Sequence, residues 1–371
     1  MTLAMDARTA RFHAMRGCPR ILSGIRPVTP AERLARIAAA LGESGGTPDF
    51  YGVGGPVDAL QDRVAELLGT ESALLFPTGT MAQQVALRCW AERTGSPAVA
   101  MHHLAHPILH ESGAVTSVTG LRPVVLHRGY AQLTAADIRG LAEPVGAVFV
   151  ELPLREGGFT LPSWTELTEL VEAAREREAV LHLDGARLWE SAPFYDRRLA
   201  EIADLFDSVY VSLYKSLGAA SGACLAGPAE FVDQAAIWRH RYGGLPFQMW
   251  PVAAEGLAAL DDTLPLLPVR VAHAKTVAAA LASVPGAHVH PAQPHTHQFH
   301  IRLPYPAELL ERLTLEFAAE RGEWLIAGWH EPTAPGLSLA EVTVAEPALQ
   351  WTEGEIADAF GEFVRRAAAE G

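Results

Sequence analysis

Between Ala73 and Ala226 short apolar runs alternate with stretches of helical period, and no other property of the chain restricts its fold as much. The runs are Ala73–Phe76, Ala98–Met101, Val124–Leu126, Ala147–Leu152, Val180–Leu183, Ser208–Leu213 and Ala223–Ala226, with helical periods such as Met81–Arg93 and Trp164–Glu178 between most of them. Strands parted by helices predict an α/β fold: a mostly parallel sheet sandwiched by helices. Ligands of such sheets bind outside the carboxyl ends of the strands. The remainder, from about 265 to 371, predicts helix Val269–Ala282, strands His288–His290 and Gln298–Leu303, helix Ala307–Arg321, strands Glu323–Trp329 and Ser338–Val344, and helix Glu353–Ala369. That order describes a small α+β C-terminal domain. Residues 1–30 read as an irregular arm, and a helix over 31–41 is broken by the Gly-rich run 42–48. The expected division is therefore an N-terminal arm and helix over 1–45, a large domain over 46–262 and a small domain over 263–371.

Chemistry concentrates at the predicted strand ends. The run Ser208-Val-Tyr-Val-Ser-Leu-Tyr-Lys215 delivers a lysine from an apolar strand into a Ser-Leu-Gly turn. A cation there costs several kcal/mol, roughly, unless it is paired, deprotonated or consumed as an imine, and a desolvated lysine is a good imine former toward an aldehyde. Thr78-Gly79-Thr80 follows a strand and opens a helix, where backbone N–H groups and hydroxyls favour an anion the size of a monophosphate. It has neither a Walker lysine nor a GxGxxG pattern, and as a bare signal it also suits an ordinary helix cap. Asp184, at the end of the buried run Val180–Leu183, can keep a pyridine nitrogen protonated, and Arg187 can take a carboxylate or phenolic oxygen; a plain Asp184–Arg187 ion pair is the competing reading. In His102-His103-Leu-Ala-His106-Pro-Ile-Leu-His110, Pro107 places the helix start near His106 and separates His102 and His103 from its face. One imidazole could lie over an aromatic ring; a zinc site built from these or from His295, His297 and His300 is the distant alternative.

The formal net charge of −14 argues against nucleic acid or an anionic membrane as partner, since both need a basic face. Cys18, Cys89 and Cys224 show no paired spacing, so no disulfide framework or thiolate metal site is expected and a reducing, cytoplasmic setting is. The first twenty residues carry Asp6, Arg8, Arg11, His13 and Arg16 among the apolar ones, unlike an uninterrupted signal-peptide core. The composition is 49% hydrophobic; this slight surplus, with the Gly-rich loop 50–56, suggests a homo-oligomer.

Phosphate, ring nitrogen, ring face and imine together describe pyridoxal 5′-phosphate. The chain resembles the threonine aldolase and β-eliminating lyase family of fold-type I pyridoxal-phosphate enzymes. The resemblance is carried by Phe50-Tyr51-Gly52, Phe76-Pro-Thr-Gly-Thr-Met-Ala82, Ala105-His106 with Glu111-Ser-Gly-Ala114, Leu183-Asp-Gly-Ala-Arg-Leu188, Lys215-Ser-Leu-Gly218 and Trp238-Arg239 with Gly243-Gly244. It implies that the large domain binds the cofactor, with Lys215 as the imine-forming lysine, Asp184 as the partner of the pyridine nitrogen, and Thr78, Gly79 and Thr80 as the phosphate cup. By the same resemblance His106 stacks on the ring and takes a proton from a β-hydroxyl. Arg187 holds the cofactor's O3′ edge or the substrate's α-carboxylate, and Tyr51 reaches the site of a neighbouring subunit in a homodimer or homotetramer. The implied reaction on a small amino-acid substrate is Cα–Cβ cleavage of a β-hydroxy-α-amino acid to glycine and an aldehyde, with β-elimination or other Cα carbanion chemistry as the alternative. Departures from the family pattern fall at Arg16–Arg20, in the run Glu151-Leu-Pro-Leu-Arg-Glu-Gly-Gly158 after its glutamate, at Pro246-Phe247-Gln248, where an arginine is lost, and at Ala340–Val344, where a second arginine gives way and Glu341 stands nearby.

Overall fold

A computed structural model describes residues 2–42 and 46–371; the predicted break at 42–48 and the boundary at residue 45 fall partly outside these. In chain order the strands are β1 (Arg20–Ile21), β2 (Ser72–Phe76), β3 (Ala98–His102), β4 (Arg122–Leu126), β5 (Ala147–Glu151), β6 (Val180–Gly185), β7 (Ser208–Ser212), β8 (Ala223–Gly227), β9 (His288–His290), β10 (Gln298–Leu303), β11 (Glu323–Trp324), β12 (His330–Ala334) and β13 (Leu337–Thr343). The described residues form two compact units, one of residues 31–265 and one of residues 1–30 with 266–371.

The larger unit holds a seven-stranded sheet in the order β2-β8-β7-β6-β5-β3-β4. Its β4, β3, β5, β6 and β7 run parallel, while β8 lies antiparallel between β7 and β2. The expected fold is observed. β3, β5, β7 and β8 are buried at every position, as strands covered on both faces must be. Helix Gly79–Thr94 packs Ala82, Val85, Ala86, Cys89 and Trp90 into the core against β2, β5 and β7. Register then sets the site. Glu151 pairs with Asp184 and Asp184 with Tyr210, so three polar side chains stand abreast on one face at the ends of β5, β6 and β7. Two residues earlier, Phe149, His182 and Ser208 form the row beneath them.

In the other unit β12-β13-β10-β9 form an antiparallel sheet over a core that includes Phe299, Phe317, Trp329, Trp351, Phe360 and Phe363. Two expectations change here. The arm is irregular only in its second half: Thr2–Gly17 is a helix, and Arg11 on it pairs with Glu311 at 2.8 Å. The predicted strand Glu323–Trp329 stops at Trp324, because its partner β1 is only two residues long, and Gly328 then turns the chain with φ of 83° into the short exposed strand β12.

Candidate active site

Gly79, Thr80, His106, Asp184, Arg187 and Lys215 line one cleft at the carboxyl ends of β5, β6 and β7, with Gln83, Glu111, Glu151, Ala186, Tyr210 and Tyr214. Thr78 and Tyr51 are not among its walls. Thr78 caps helix Gly79–Thr94, its hydroxyl accepting from the Met81 amide at 3.3 Å. The capping reading of this motif is therefore realised, and the first turn of the helix still faces the cleft through Gly79 and Thr80. Gly79 cannot be otherwise: a Cβ there would collide with the Tyr210 hydroxyl.

Lys215 leaves β7 on a turn in which Ser212 Oγ accepts both the Tyr214 and the Lys215 amides, at 3.2 and 3.3 Å. Its ammonium lies 4.9 Å from the centre of the Tyr214 ring. A second set of bonds holds the far side of the turn. Arg33 donates to Gly218 O at 3.1 Å and pairs with the buried Glu255, which in turn accepts the Ala220 amide at 2.9 Å.

Asp184 is 2% exposed and accepts the Ala186 amide at 3.0 Å. No ion pair joins it to Arg187 among the described residues; the guanidinium lies 5.1 Å from the Phe159 ring, and its buried Nε has no partner. Burial pushes the Asp184 carboxyl up to about 7, with the Glu111 charge adding to it. Glu151 is pushed up too, first by burial and then by Asp184 beside it. A buried carboxylate pair of this kind holds a proton near neutral pH until a cation arrives.

The imidazole of His106 opens a short helix, His106–Leu109, whose start is set by Pro107 and whose first amide donates to Glu151 at 2.9 Å. Burial lowers its pKa to about 4, helped by His110, Lys215, Arg155 and Arg187, so it is a neutral base at physiological pH. Glu151 also accepts the Arg155 amide at 3.1 Å. Thus Glu151, the first residue of the segment whose following positions depart from the family pattern, supplies the carboxylate that seats His106. Glu111 accepts Gln84 at 2.8 Å, and burial raises its carboxyl above the usual range.

His102 Nε2 lies 2.9 Å from Ala131 O and its Nδ1 accepts the Leu104 amide at 3.0 Å, so both ring nitrogens are taken. Among the described residues no group of three or more His, Cys, Asp or Glu could hold a metal ion, and the zinc alternative lacks a ligand set.

Sequence reasoning passed over Gln83, Tyr210, Tyr214 and the carboxylates of Glu111 and Glu151 as site residues. Two of them carried a usable signal. Gln83 follows Thr80 by three residues, one helical turn, and Tyr210 precedes Lys215 on a strand that must reach the same end of the sheet.

Tyr51 lies elsewhere in this unit, 58% exposed in a loop where Phe50 and Phe247 are also exposed. Its ring meets Phe247 edge-on at 5.3 Å, and its backbone is left-handed, φ 50°. The carboxylate of Asp49, fully buried, fixes this loop by accepting the amides of Gly52, Met249 and Trp250 at 3.1, 2.9 and 2.7 Å.

The chain is similar to several known proteins. The β-eliminating lyase family matches residues 28–303. The low-specificity L-threonine aldolase of Escherichia coli K12 is 33% identical over 236 residues, covering 62% of this chain and 68% of that protein. Low-specificity L-threonine aldolase 1 of Arabidopsis thaliana is 27% identical over 293 residues, 76% of this chain and 81% of that one. A solved structure from Listeria monocytogenes, described as a candidate L-allo-threonine aldolase, superposes with a TM-score of 0.88 at 32% identity over 96% of this chain and 99% of its own.

Proposed function

The chain belongs to the β-eliminating lyase family, and from that premise we propose that it is a pyridoxal-phosphate-dependent lyase cleaving the Cα–Cβ bond of a β-hydroxy-α-amino acid to glycine and an aldehyde. The observation that carries the proposal is the convergence of a strand-end lysine, a buried strand-end carboxylate, a neutral imidazole and the N-terminus of a 16-residue helix on one cleft. Those residues suit the cofactor. The partnerless Nε of Arg187 is a donor awaiting an oxygen, and the Gly79 turn, closed from behind by Tyr210, leaves backbone N–H groups for a phosphate. When bound, pyridoxal phosphate supplies an aldehyde that condenses with amines and a protonated ring that withdraws electrons from the substrate's Cα.

The protein's part follows from its own groups. Lys215 offers the amine, held in place by Ser212 and by the Arg33–Glu255 brace. Asp184 would hold the ring nitrogen, its carboxylate balancing the proton carried there so that the ring stays cationic. Arg187 binds an anionic oxygen on the cofactor edge or the substrate's carboxylate. His106 accepts the proton of the β-hydroxyl, the move that lets the Cα–Cβ bond part, and Glu151 keeps the backbone of His106 in place while it does so. The exposed Phe50–Tyr51 loop with Phe247 supports a homo-oligomer in which Tyr51 meets the cleft of a second copy.

Incubation with L-threonine, L-allo-threonine, phenylserine and a cysteine conjugate, each assayed for glycine, aldehyde and pyruvate, tests the reaction. Glycine together with the matching aldehyde is expected from at least one β-hydroxy substrate. Keto acid alone, with no glycine from any of them, would place the chain with the β-eliminating enzymes instead.

A further inference from the structure

Beneath the cleft a chain of buried polar side chains runs from the core toward the ligand space. Trp90 Nε1 lies 2.7 Å from Ser208 Oγ, which lies 2.7 Å from His182 Nδ1, and His182 Nε2 lies 2.7 Å from Gln83 Oε1. Each residue but Trp90 is at most 1% exposed, and Trp90 is 7% exposed. At the far end Gln83 Nε2 is buried and partnerless on a side chain that lines the cleft.

The direction of this relay follows from the donor inventory. An indole N–H only donates, so Ser208 Oγ accepts from Trp90 and its single proton is free to go to His182 Nδ1. His182 is neutral, its pKa lowered by burial to about 3, so it carries one proton. With Nδ1 accepting, that proton sits on Nε2 and is given to Gln83 Oε1. An amide whose oxygen is held in this way must turn its NH2 outward, and outward here is the cleft. The opposite polarity would leave the Ser208 hydroxyl with two incoming donors and no acceptor of its own. Leaving an amide donor buried and unpaired is unfavourable, which marks Gln83 as shaped for a guest rather than for the core.

We propose that Gln83 is a ligand-binding residue whose NH2 donates to an anionic oxygen of the cofactor's phosphate or of the amino acid's carboxylate, with its orientation dictated by Trp90, Ser208 and His182. Gln83 lies one helical turn beyond Thr80, on the side of the helix that faces the cleft. The identity of the guest rests on the functional reading above; the polarity of the relay does not.

Cofactor-free wild-type protein, Gln83→Leu and Gln83→Glu are titrated with pyridoxal phosphate and with pyridoxal, and KM for the amino acid is measured at saturating cofactor. Loss of one charge-assisted hydrogen bond predicts a change of about tenfold or more. If the acceptor is the phosphate, pyridoxal phosphate binds at least about tenfold more weakly while pyridoxal is unaffected. If it is the carboxylate, KM rises by that factor and cofactor affinity holds. In parallel, histidine-selective 15N NMR of the wild-type protein should show His182 as the Nε2–H tautomer, a readout that needs no variant to fold. Neither affinity nor KM moving more than about twofold in folded variants, or an Nδ1–H tautomer of His182, overturns the proposal. A wild-type protein that takes up no pyridoxal phosphate would overturn the functional reading, and the NMR result would still decide the relay.

Discussion

Replacing Asp49 by alanine is expected to weaken the larger unit by several kcal/mol, although its hydrogen bonds go to Gly52, Met249 and Trp250, none of which lines the cleft. Its carboxylate is completely buried and accepts three backbone N–H groups, those of Gly52, Met249 and Trp250. Gly52 and Met249 are themselves buried, so no water replaces the lost acceptor for them. Two orphaned buried donors cost about 1–3 kcal/mol each. Met249 and Trp250 begin helix Trp250–Thr263, so the variant also strips a negative charge from a helix N-terminus, adding about 0.5 kcal/mol. A buried arginine suffers as well, since Asp49 helps to hold the Arg239 charge in place. The sum is about 4 kcal/mol, or about 10 °C in Tm for a unit of this size. Asp49→Asn keeps one acceptor oxygen and should lose about half as much. Differential scanning calorimetry of the cofactor-free protein reads both. A Tm within about 2 °C of wild type for Asp49→Ala would refute the hydrogen-bond assignment.

Other perturbations test the cleft. Gly79→Ala drives a Cβ into the Tyr210 hydroxyl, so cofactor affinity should fall by about 1–3 kcal/mol and recover in part when combined with Tyr210→Phe; a double variant no better than the single one would deny that contact. Stability of the cofactor-free protein should pass through a maximum in pH. The carboxyls of Asp184 and Glu151 are raised, so the stability they add is complete below about pH 4 and is lost as pH rises through about 7 and 8. The imidazoles of His106 and His182 are lowered, so their contribution is complete above about pH 6.5 and is lost as pH falls through about 4 and 3. Between about pH 4.5 and 6.5 the two effects oppose one another, so calorimetry from pH 3 to 9 should show stability falling above about pH 6.5 and below about pH 4. Asp184→Asn should lessen the fall on the alkaline side; stability rising steadily to pH 9 would contradict the buried-carboxylate assignment.

The placement of Lys215 and Asp184 was legible from sequence because each closes an apolar run, and the strand pattern said which end of the sheet it would occupy. The same pattern located Arg187 and the Thr78–Thr80 turn, while leaving open that Thr78 serves the helix rather than the cleft. Gln83 was legible only through its one-turn spacing from Thr80, and its polarity was not legible at all. An amide inside a helix looks like a surface residue until the fold sets His182 against it from a strand ninety-nine positions away. Glu151 was hidden for a related reason: its role depends on standing beside Asp184 in register and beneath the His106 amide, neither of which leaves a trace in local composition. The helix at Thr2–Gly17 escaped notice because its apolar positions are too few to draw a stripe. Strand β11 was drawn too long because Leu325 and Ile326 are buried in the core without joining a ladder.

The most direct test is the state of Lys215 in protein loaded with pyridoxal phosphate. The wild type should show a yellow absorbance band that borohydride abolishes, and mass spectrometry of the reduced protein should find the pyridoxyl group on the peptide carrying Lys215. Lys215→Ala should show neither the band nor the modification and should produce no glycine from any β-hydroxy amino acid. A band of equal strength in Lys215→Ala, or a pyridoxyl group fixed to another lysine, would contradict the assignment of this cleft as the active site.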